Sequence, residues 1–359
     1  MKKIRVALGQ SGYHIYIGAD LLAQTGRLLK EFGFDDKAVI ITDPTIKNLY
    51  AVSLRQSLIG NGFKTIILEV PEGEENKSLD TAERLYEELT DFDVERLTPI
   101  IALGGGVIGD LAGFVAATYM RGIPLVQLPT TLLAQVDSSI GGKVAVNLGQ
   151  LKNIIGAFYQ PRIVISDITT LQTLPPAELT NGLAEVIKYA IIKDENFFNY
   201  LEDHLDQVKG LEKNSMEYIV TVSARIKGQV VEKDEKDQGL RNILNFGHTI
   251  GHAVESVTNF KVSHGQAVAI GMLSASSIAC ELGILDNTVV GRIRKLLRRA
   301  GLMTKMPKTE LGKLVEAMTH DKKVVDGKIR FVLPRSIGNV FVTDEVNLKV
   351  LEKILVSAR

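Results

Sequence analysis

Three residues far apart in the chain carry the chemistry of a metal site. Glu185 lies in Asn181-Gly182-Leu183-Ala184-Glu185-Val186-Ile187-Lys188, His248 in Asn245-Phe246-Gly247-His248-Thr249, and His264 in Ser263-His264-Gly265-Gln266. One carboxylate and two imidazoles can hold a divalent ion and leave a coordination position open for substrate. Each residue also has a plainer reading. Glu185 could be a surface glutamate paired with Lys188 one turn on, and a lone histidine is more often structural or capping than a ligand. The density of histidines argues the other way, because His248, His252 and His264 fall within seventeen positions of a chain with six histidines in all. His248 and His252 are four apart, share a helix face and are a candidate bidentate pair. Thr249 follows the first of them, so the H-E-x-x-H protease pattern is absent. Spacing leaves open which two of the three histidines bind.

A second feature lies upstream. Gly104, Gly106 and Gly109 fit G-x-G-x-x-G in Gly104-Gly105-Gly106-Val107-Ile108-Gly109-Asp110, directly after an apolar run. Glycines let backbone amides approach a pyrophosphate, and the helix start that follows favours negative charge. The same pattern also suits a tight strand–helix turn. It departs from the dinucleotide fingerprint, because it comes late in its domain and no acidic residue ends the next strand. Asp110 and the pair Thr130-Thr131 follow the ends of successive expected strands, where ligands of open α/β sheets gather. Arg121, Lys143, Lys152, Asn153, Lys188, Arg241, Asn245 and Lys322-Lys323 stand beside these motifs and suit a substrate bearing phosphate and carboxylate.

The elements that must position these groups follow from periodicity. Runs at 38–42, 65–70, 99–103, 125–128 and 162–166 are almost continuously apolar, as strands of a parallel sheet buried on both faces are. Helical patterns alternate with them. Ser78 is an expected N-cap for one, with Leu79, Ala82, Leu85, Tyr86 and Leu89 along a face. After Leu174-Pro175-Pro176 the pattern turns helical, as in Leu179/Leu183/Val186/Ile187/Ala190 and Val268/Met272/Ala275/Ile278/Ala279. Only 329–333 and 339–342 read as extended. The expectation is an α/β, Rossmann-like domain with a mostly parallel sheet over 1–174, followed by a mainly α-helical metal- and substrate-binding domain over 175–359.

Composition sets outer limits. The 359 residues are 45% apolar, enough for two cores. Lys plus Arg equal Asp plus Glu at 42 each, so no long-range field draws nucleic acid or an anionic membrane. Cys280 is the sole cysteine, which rules out an intrachain disulfide. No sustained apolar stretch follows the basic start, and none spans a bilayer. No secretory signal is expected, and the cytoplasm is the expected compartment.

The motifs together resemble the 3-dehydroquinate synthase family of sugar phosphate cyclases. To those above the resemblance adds Pro129–Ser139, Gly141-Gly142-Lys143, Lys152-Asn153, Arg241–His252 and His264-Gly265, in the family's order over essentially the whole chain. It implies an NAD-binding domain, a helical metal domain and a site in the cleft between them. It puts zinc, or cobalt, on Glu185, His248 and His264, and moves His252 to a substrate contact. It assigns NAD to Asp43, Glu74, Lys77, Gly105, Gly106, Gly109, Asp110, Thr130, Thr131, Lys143, Lys152 and the stretch Thr170 to Thr173. Phosphate falls to Lys143, Asn153, Asn245, His252 and one of Lys322 or Lys323, and the carboxylate to Lys227 and Arg241. Asp137 and Lys188 join the catalytic set, and Arg121 would reach a neighbouring subunit's site in a homodimer. The implied reaction takes 3-deoxy-D-arabino-heptulosonate 7-phosphate to 3-dehydroquinate, with no net redox change. Related cyclases forming valiolones or inososes, and metal-dependent polyol dehydrogenases, are the competing enzyme readings. A non-catalytic nucleotide-binding protein is the plainest one.

Overall fold

Buried, β-branched runs build a seven-stranded sheet in the first part of the chain. The computed structural model describes residues 1–34, 36–149, 151–319 and 329–358. The strands are β1 (Lys2–Val6), β2 (Tyr13–Gly18), β3 (Lys37–Thr42), β4 (Lys64–Glu69), β5 (Ile100–Gly104), β6 (Leu125–Pro129) and β9 (Ile163–Asp167). They lie in the order β1-β2-β9-β6-β5-β3-β4. Only β1 and β2 pair antiparallel; all other pairs in the sheet are parallel. The mostly parallel sheet expected from the sequence is present.

Alternation along each strand divides the core in two. Val39, Ile41, Ile100, Ala102 and Leu125 pack in one cluster with helices α4 (Leu79–Asp91) and α5 (Gly106–Thr118). Ala38, Ile40, Ile101, Leu103, Val126 and Leu128 pack in the other with α1 (Thr25–Glu31) and α3 (Val52–Gly60). A single turn, α2 (Pro44–Ile46), follows β3. Ser78 caps α4 as expected, its hydroxyl accepting from the Thr81 N–H at 3.2 Å. Ala82, Leu85 and Leu89 are buried, but Leu79 at the first helical position is 40% exposed and does not join the face. A hairpin of β7 (Lys143–Leu148) and β8 (Leu151–Phe158), which periodicity did not single out, forms a separate two-stranded sheet.

The chain divides into two units, Met1–Leu174 with Met216–Lys236, and Pro175–Ser215 with Asp237–Arg359. The stretch 216–236 lies in the range read above as the second domain, yet it groups with the first unit. It makes up most of α8 (Lys213–Lys233) and is bound there by polar contacts: Glu232 Oε1 accepts from the Ala7 N–H at 2.6 Å.

The second unit is mainly helical. It holds α6 (Pro176–Lys193), α7 (Glu195–Lys209), α9 (His248–Val257), α10 (His264–Glu281), α11 (Asn287–Arg299), α12 (Leu311–Thr319) and α13 (Leu348–Ser357). The two extended segments form one antiparallel hairpin of β10 (Phe331–Ser336) and β11 (Asn339–Thr343). From Asn181 to Ile192 every residue of α6 is buried. A helix buried all round is a central element, and this one carries Glu185 and Lys188 into the interior. Among the described residues no helix is long and apolar enough to cross a membrane.

Candidate active site

Two helix starts deliver His248 and His264. Gly247, at φ +81°, turns the chain from the 3₁₀ segment Leu240–Asn245 into α9, so that His248 is the first helical residue. His264 opens α10 after Ser263. The imidazoles meet because α9 and α10 approach closely, with ring centroids of His248 and His264 5.3 Å apart. Gly265, next to His264, lies against α6: its N–H donates to Asn181 Oδ1, and a Cβ there would come within 2.4 Å of the Asn181 carbonyl oxygen.

Glu185 stands between them. Its Oε1 is 3.5 Å from His248 Nε2 and 3.7 Å from His264 Nε2. Donors at about 2.0–2.1 Å in tetrahedral array around zinc are about 3.3–3.4 Å apart, so the spacing suits one ion. The side chain is completely buried, and neither oxygen has a hydrogen-bond donor in regular geometry. An unsatisfied buried carboxylate is costly unless a cation meets it. Part of that charge is met by Lys188, whose ammonium contacts Oε2 from one turn on. The surface reading of Glu185 is therefore overturned, although its pairing with Lys188 is real.

Each imidazole is oriented from behind. His248 Nδ1 lies 3.1 Å from the Phe246 carbonyl oxygen, which accepts its proton and leaves Nε2 facing Glu185. His264 Nδ1 lies 3.4 Å from Glu255 Oε1. Burial alone would lower the pKa of His264, but the carboxylates of Glu185 and Glu255 outweigh it and the value is pushed up to about 10. The surroundings thus favour positive charge at this point, as a site for a divalent cation should.

The spacing-based pair His248/His252 is not the set that gathers at Glu185. His252 stacks edge-on to His248 and forms a second potential ligand group with Glu255 and His264. The i,i+4 rule places residues of one helix on one face but is silent on a histidine arriving from another helix. Asn245 and the buried Arg241 lie in the 3₁₀ segment that leads into α9. Lys322 and Lys323 lie outside the described residues.

In the first unit most of the predicted cofactor residues gather at one edge of the sheet, whereas Lys143 and Lys152 lie on the separate β7–β8 hairpin. Asp43 follows β3, Glu74 and Lys77 lie beyond β4, Gly105 and Gly106 follow β5, Thr130 and Thr131 follow β6, and Thr170 and Thr173 lie in the turn after β9. All are carboxyl ends of parallel strands, and the strand order reverses beside β5, at the switch point where such sheets bind ligands. The Thr130 hydroxyl is buried without a hydrogen-bond partner, which suits a bound polar group. Gly105 caps α5, and a Cβ there would come 3.1 Å from Thr131. These features fit a dinucleotide. Gly109 instead faces Gln127, whose Nε2 donates to its carbonyl at 3.1 Å, so the third glycine lets α5 lie against β6.

Other polar groups organise this edge. Asp43 caps α2 by accepting from the Ile46 N–H at 2.9 Å, and burial lifts its carboxyl above the ordinary range. Lys77 is buried and donates to Asp110 Oδ2 at 2.6 Å. Burial raises the Asp110 carboxyl, and the Lys77 ammonium opposes that rise. Lys227 donates to the backbone and side-chain oxygens of Asp137 at 2.7 and 2.6 Å. Lys143, Lys152 and Asn153 lie on the β7–β8 hairpin and are exposed. Arg121 is set apart from the glycine loop. It ends the turn after α5, a helix of 13 residues, or about 20 Å at 1.5 Å per residue. Sequence reasoning missed Gln135, Asn147 and Glu255. Only Glu255 had a signal, since it follows His252 by three positions on one helix face.

Residues 67–181 match the family 3-dehydroquinate synthase N-terminal, and residues 182–324 match 3-dehydroquinate synthase C-terminal. A 3-dehydroquinate synthase of Dehalococcoides mccartyi is 51% identical over 346 residues, covering 96% of each chain. One of Desulforamulus reducens is 49% identical over 349 residues, covering 96% of this chain and 97% of the relative. Among solved structures, 2-epi-5-epi-valiolone synthase from Streptomyces hygroscopicus subsp. jinggangensis 5008, with NAD+ and Zn2+ bound, is similar at TM-score 0.90 and 28% identity, covering 98% of each chain. A 2-deoxy-scyllo-inosose synthase complexed with carbaglucose-6-phosphate, NAD+ and Co2+ is similar at TM-score 0.91 and 26% identity, covering 100% of each chain. An iron-containing alcohol dehydrogenase, at TM-score 0.68 and 16% identity, shares the fold alone. With two family matches side by side and half of all positions identical to named relatives, the chain belongs to the 3-dehydroquinate synthase family.

Proposed function

We propose that this chain works as a 3-dehydroquinate synthase, a phosphate-eliminating carbon–oxygen lyase of the shikimate pathway. It converts 3-deoxy-D-arabino-heptulosonate 7-phosphate to 3-dehydroquinate and phosphate by transient oxidation, elimination, re-reduction and aldol closure. The observation that carries this reading is the convergence of Glu185 Oε1, His248 Nε2 and His264 Nε2 in a chain of this family. When bound, NAD+ accepts and returns a hydride, and zinc or cobalt polarises the substrate's hydroxyl groups.

The residues have distinct tasks. Glu185, His248 and His264 hold the metal. Lys188 balances the buried charge of Glu185, while the Phe246 carbonyl and Glu255 keep the imidazole protons at Nδ1. Gly105, Gly106, Asp110, Thr130, Thr131, Asp43, Glu74, Lys77, Lys152, Thr170 and Thr173 form the NAD site, while Gly109 serves the packing of α5 on β6. Lys143, Asn153, Asn245 and His252 bind the phosphate. Arg241 and Lys227 bind the carboxylate, and Asp137 holds the Lys227 ammonium in place. Arg121, remote from the glycine loop, serves the site of a second copy in a homodimer. We place the enzyme in the cytoplasm, a reading that its single cysteine supports.

Phosphate release from the heptulosonate phosphate, measured with NAD+ before and after chelation, tests the assignment. Release that depends on both NAD+ and metal, without net NADH, is expected. The likeness to valiolone and inosose synthases makes other sugar phosphates the relevant controls. Faster turnover of one of these would reassign the substrate within the same chemistry, whereas release that survives chelation would refute the metal site.

A further inference from the structure

One side chain outside every ligand set above joins the Glu74–Lys77 turn to the β7–β8 hairpin. Asn147 lies where the hairpin register shifts, between Val146 and Leu148. A residue at such an irregularity leaves the ladder and turns its polar groups elsewhere. The Asn147 backbone N–H donates to the Lys77 carbonyl at 2.8 Å. Its Nδ2 donates to Glu74 Oε1 at 2.9 Å and to the Glu74 carbonyl oxygen at 3.2 Å. Its Oδ1 accepts from the Asn153 backbone N–H at 2.9 Å. Both ends of the amide are engaged, so its orientation is determined: flipped, it would set oxygen against oxygen at Glu74 and donor against donor at Asn153.

Asn153 sits at φ +54°, in the left-handed region that asparagine enters more readily than other residues with a side chain, and the Asn147 amide holds its backbone N–H there. Lys77 closes the circuit, with its ammonium donating to both Asn153 Oδ1 and Asp110 Oδ2. At 4% exposure, the Lys77 side chain has little water to turn to, so its charge is committed within the network.

We propose that Asn147 is a positioning residue. It fixes Glu74 and Lys77 on one side and Asn153 on the other, so that the cofactor turn and the anion-binding hairpin reach ligand-ready geometry together. The inference rests on the reading that Glu74, Lys77 and Asp110 serve NAD and that Asn153 serves the substrate phosphate. Asn147 is only partly buried and belongs to no apolar cluster, so its replacement spares the cores.

Calorimetric titration of NAD+ and of inorganic phosphate into the full chain tests this. Asn147→Ala should weaken both about tenfold, with a thermal midpoint close to that of the parent. Asn147→Asp keeps the acceptor for Asn153 but sets a carboxylate against Glu74. It should weaken NAD+ about tenfold and leave phosphate within about threefold. In a Glu74→Gln background the same Asn147→Asp change restores a donor–acceptor pair of reversed polarity, and its effect on NAD+ should shrink to about twofold. Equal losses in both backgrounds, or unchanged affinities in Asn147→Ala, overturn the proposal. A parent chain that binds no NAD+ overturns the underlying reading and the proposal with it.

Discussion

A Cβ added to Gly271 would lie 1.8 Å from the carbonyl oxygen of Gly247. The two glycines mark the closest approach of α10 to the entry of α9. At Gly247 itself a Cβ would meet Met272 Cγ at 2.6 Å and the Val268 carbonyl at 2.7 Å, in addition to the positive φ. This crossing, directly before His248 and two turns beyond His264, sets the separation at which the two rings meet. The spacing of the two imidazoles is therefore inherited from backbone packing.

Gly271→Ala should accordingly remove both stability and metal. The clash is with backbone and cannot be relieved by a side-chain rotation, so a loss at or above the upper end of about 1–3 kcal/mol for overpacking is expected. Gly291 is the control: it is exposed on α11, and a Cβ there would meet nothing within 4 Å. Gly291→Ala should gain up to about 1 kcal/mol from helix propensity. Thermal unfolding of the two variants decides. If Gly271→Ala melts with the parent and keeps its metal, the close crossing is not what holds the histidines.

Glu185 and Lys188 form a fully buried pair, at 0% and 2% side-chain exposure. Removing one partner of such a pair leaves an uncompensated charge, typically at about 3–5 kcal/mol. Lys188→Met should therefore be markedly unstable without metal and recover when zinc or cobalt neutralises Glu185. The rise in melting temperature on adding metal should exceed that of the parent. Glu185→Gln should show no metal-dependent rise at all. A metal-induced shift in Glu185→Gln equal to the parent's would exclude Glu185 as a ligand.

Glu255 differs from the proposed ligands in touching His264 only from behind, at Nδ1. Changes to such outer partners typically lower metal affinity about 10–100-fold. Glu255→Ala should fall in that range in a Co2+ titration followed by visible absorption. Glu255→Gln, which retains an acceptor oxygen, should lose less. If alanine and glutamine behave alike and like the parent, the carboxylate does not orient the ring.

Much of the architecture was legible because period is legible. The nearly continuous apolar runs at 38–42 and 99–103 foretold a sheet buried on both faces, and Val39 and Ile40 do enter different cores. The functional segments were legible as motifs, and the resemblance joined Glu185 to His248 and His264. Spacing alone favoured His248 with His252, since only folding brings α10 against α9. The polar ties were invisible for a related reason. Lys77 and Asn153 are 76 positions apart, and nothing local to either residue names the other. The β7–β8 hairpin escaped because β8 is mostly exposed, so no buried stripe marks it.

Gln135 supplies the last prediction, in the first unit. It is wholly buried, and its Nε2, with two N–H groups to share, lies 3.1 Å from the Pro129 carbonyl, 2.9 Å from the Asp167 carbonyl and 3.1 Å from Thr170 Oγ1. Pro129 and Asp167 end β6 and β9, beside the proposed cofactor residues Thr130 and Thr170. Gln135→Met keeps the volume and removes the donor, leaving two carbonyls without this partner at about 1–3 kcal/mol. The two strand ends should then move independently, and NAD+ should bind about tenfold more weakly while metal affinity stays that of the parent. Parallel titrations of NAD+ and Co2+ separate the possibilities. Loss of both ligands together would point to general unfolding, and unchanged NAD+ affinity would mean that the strand ends hold their positions without Gln135.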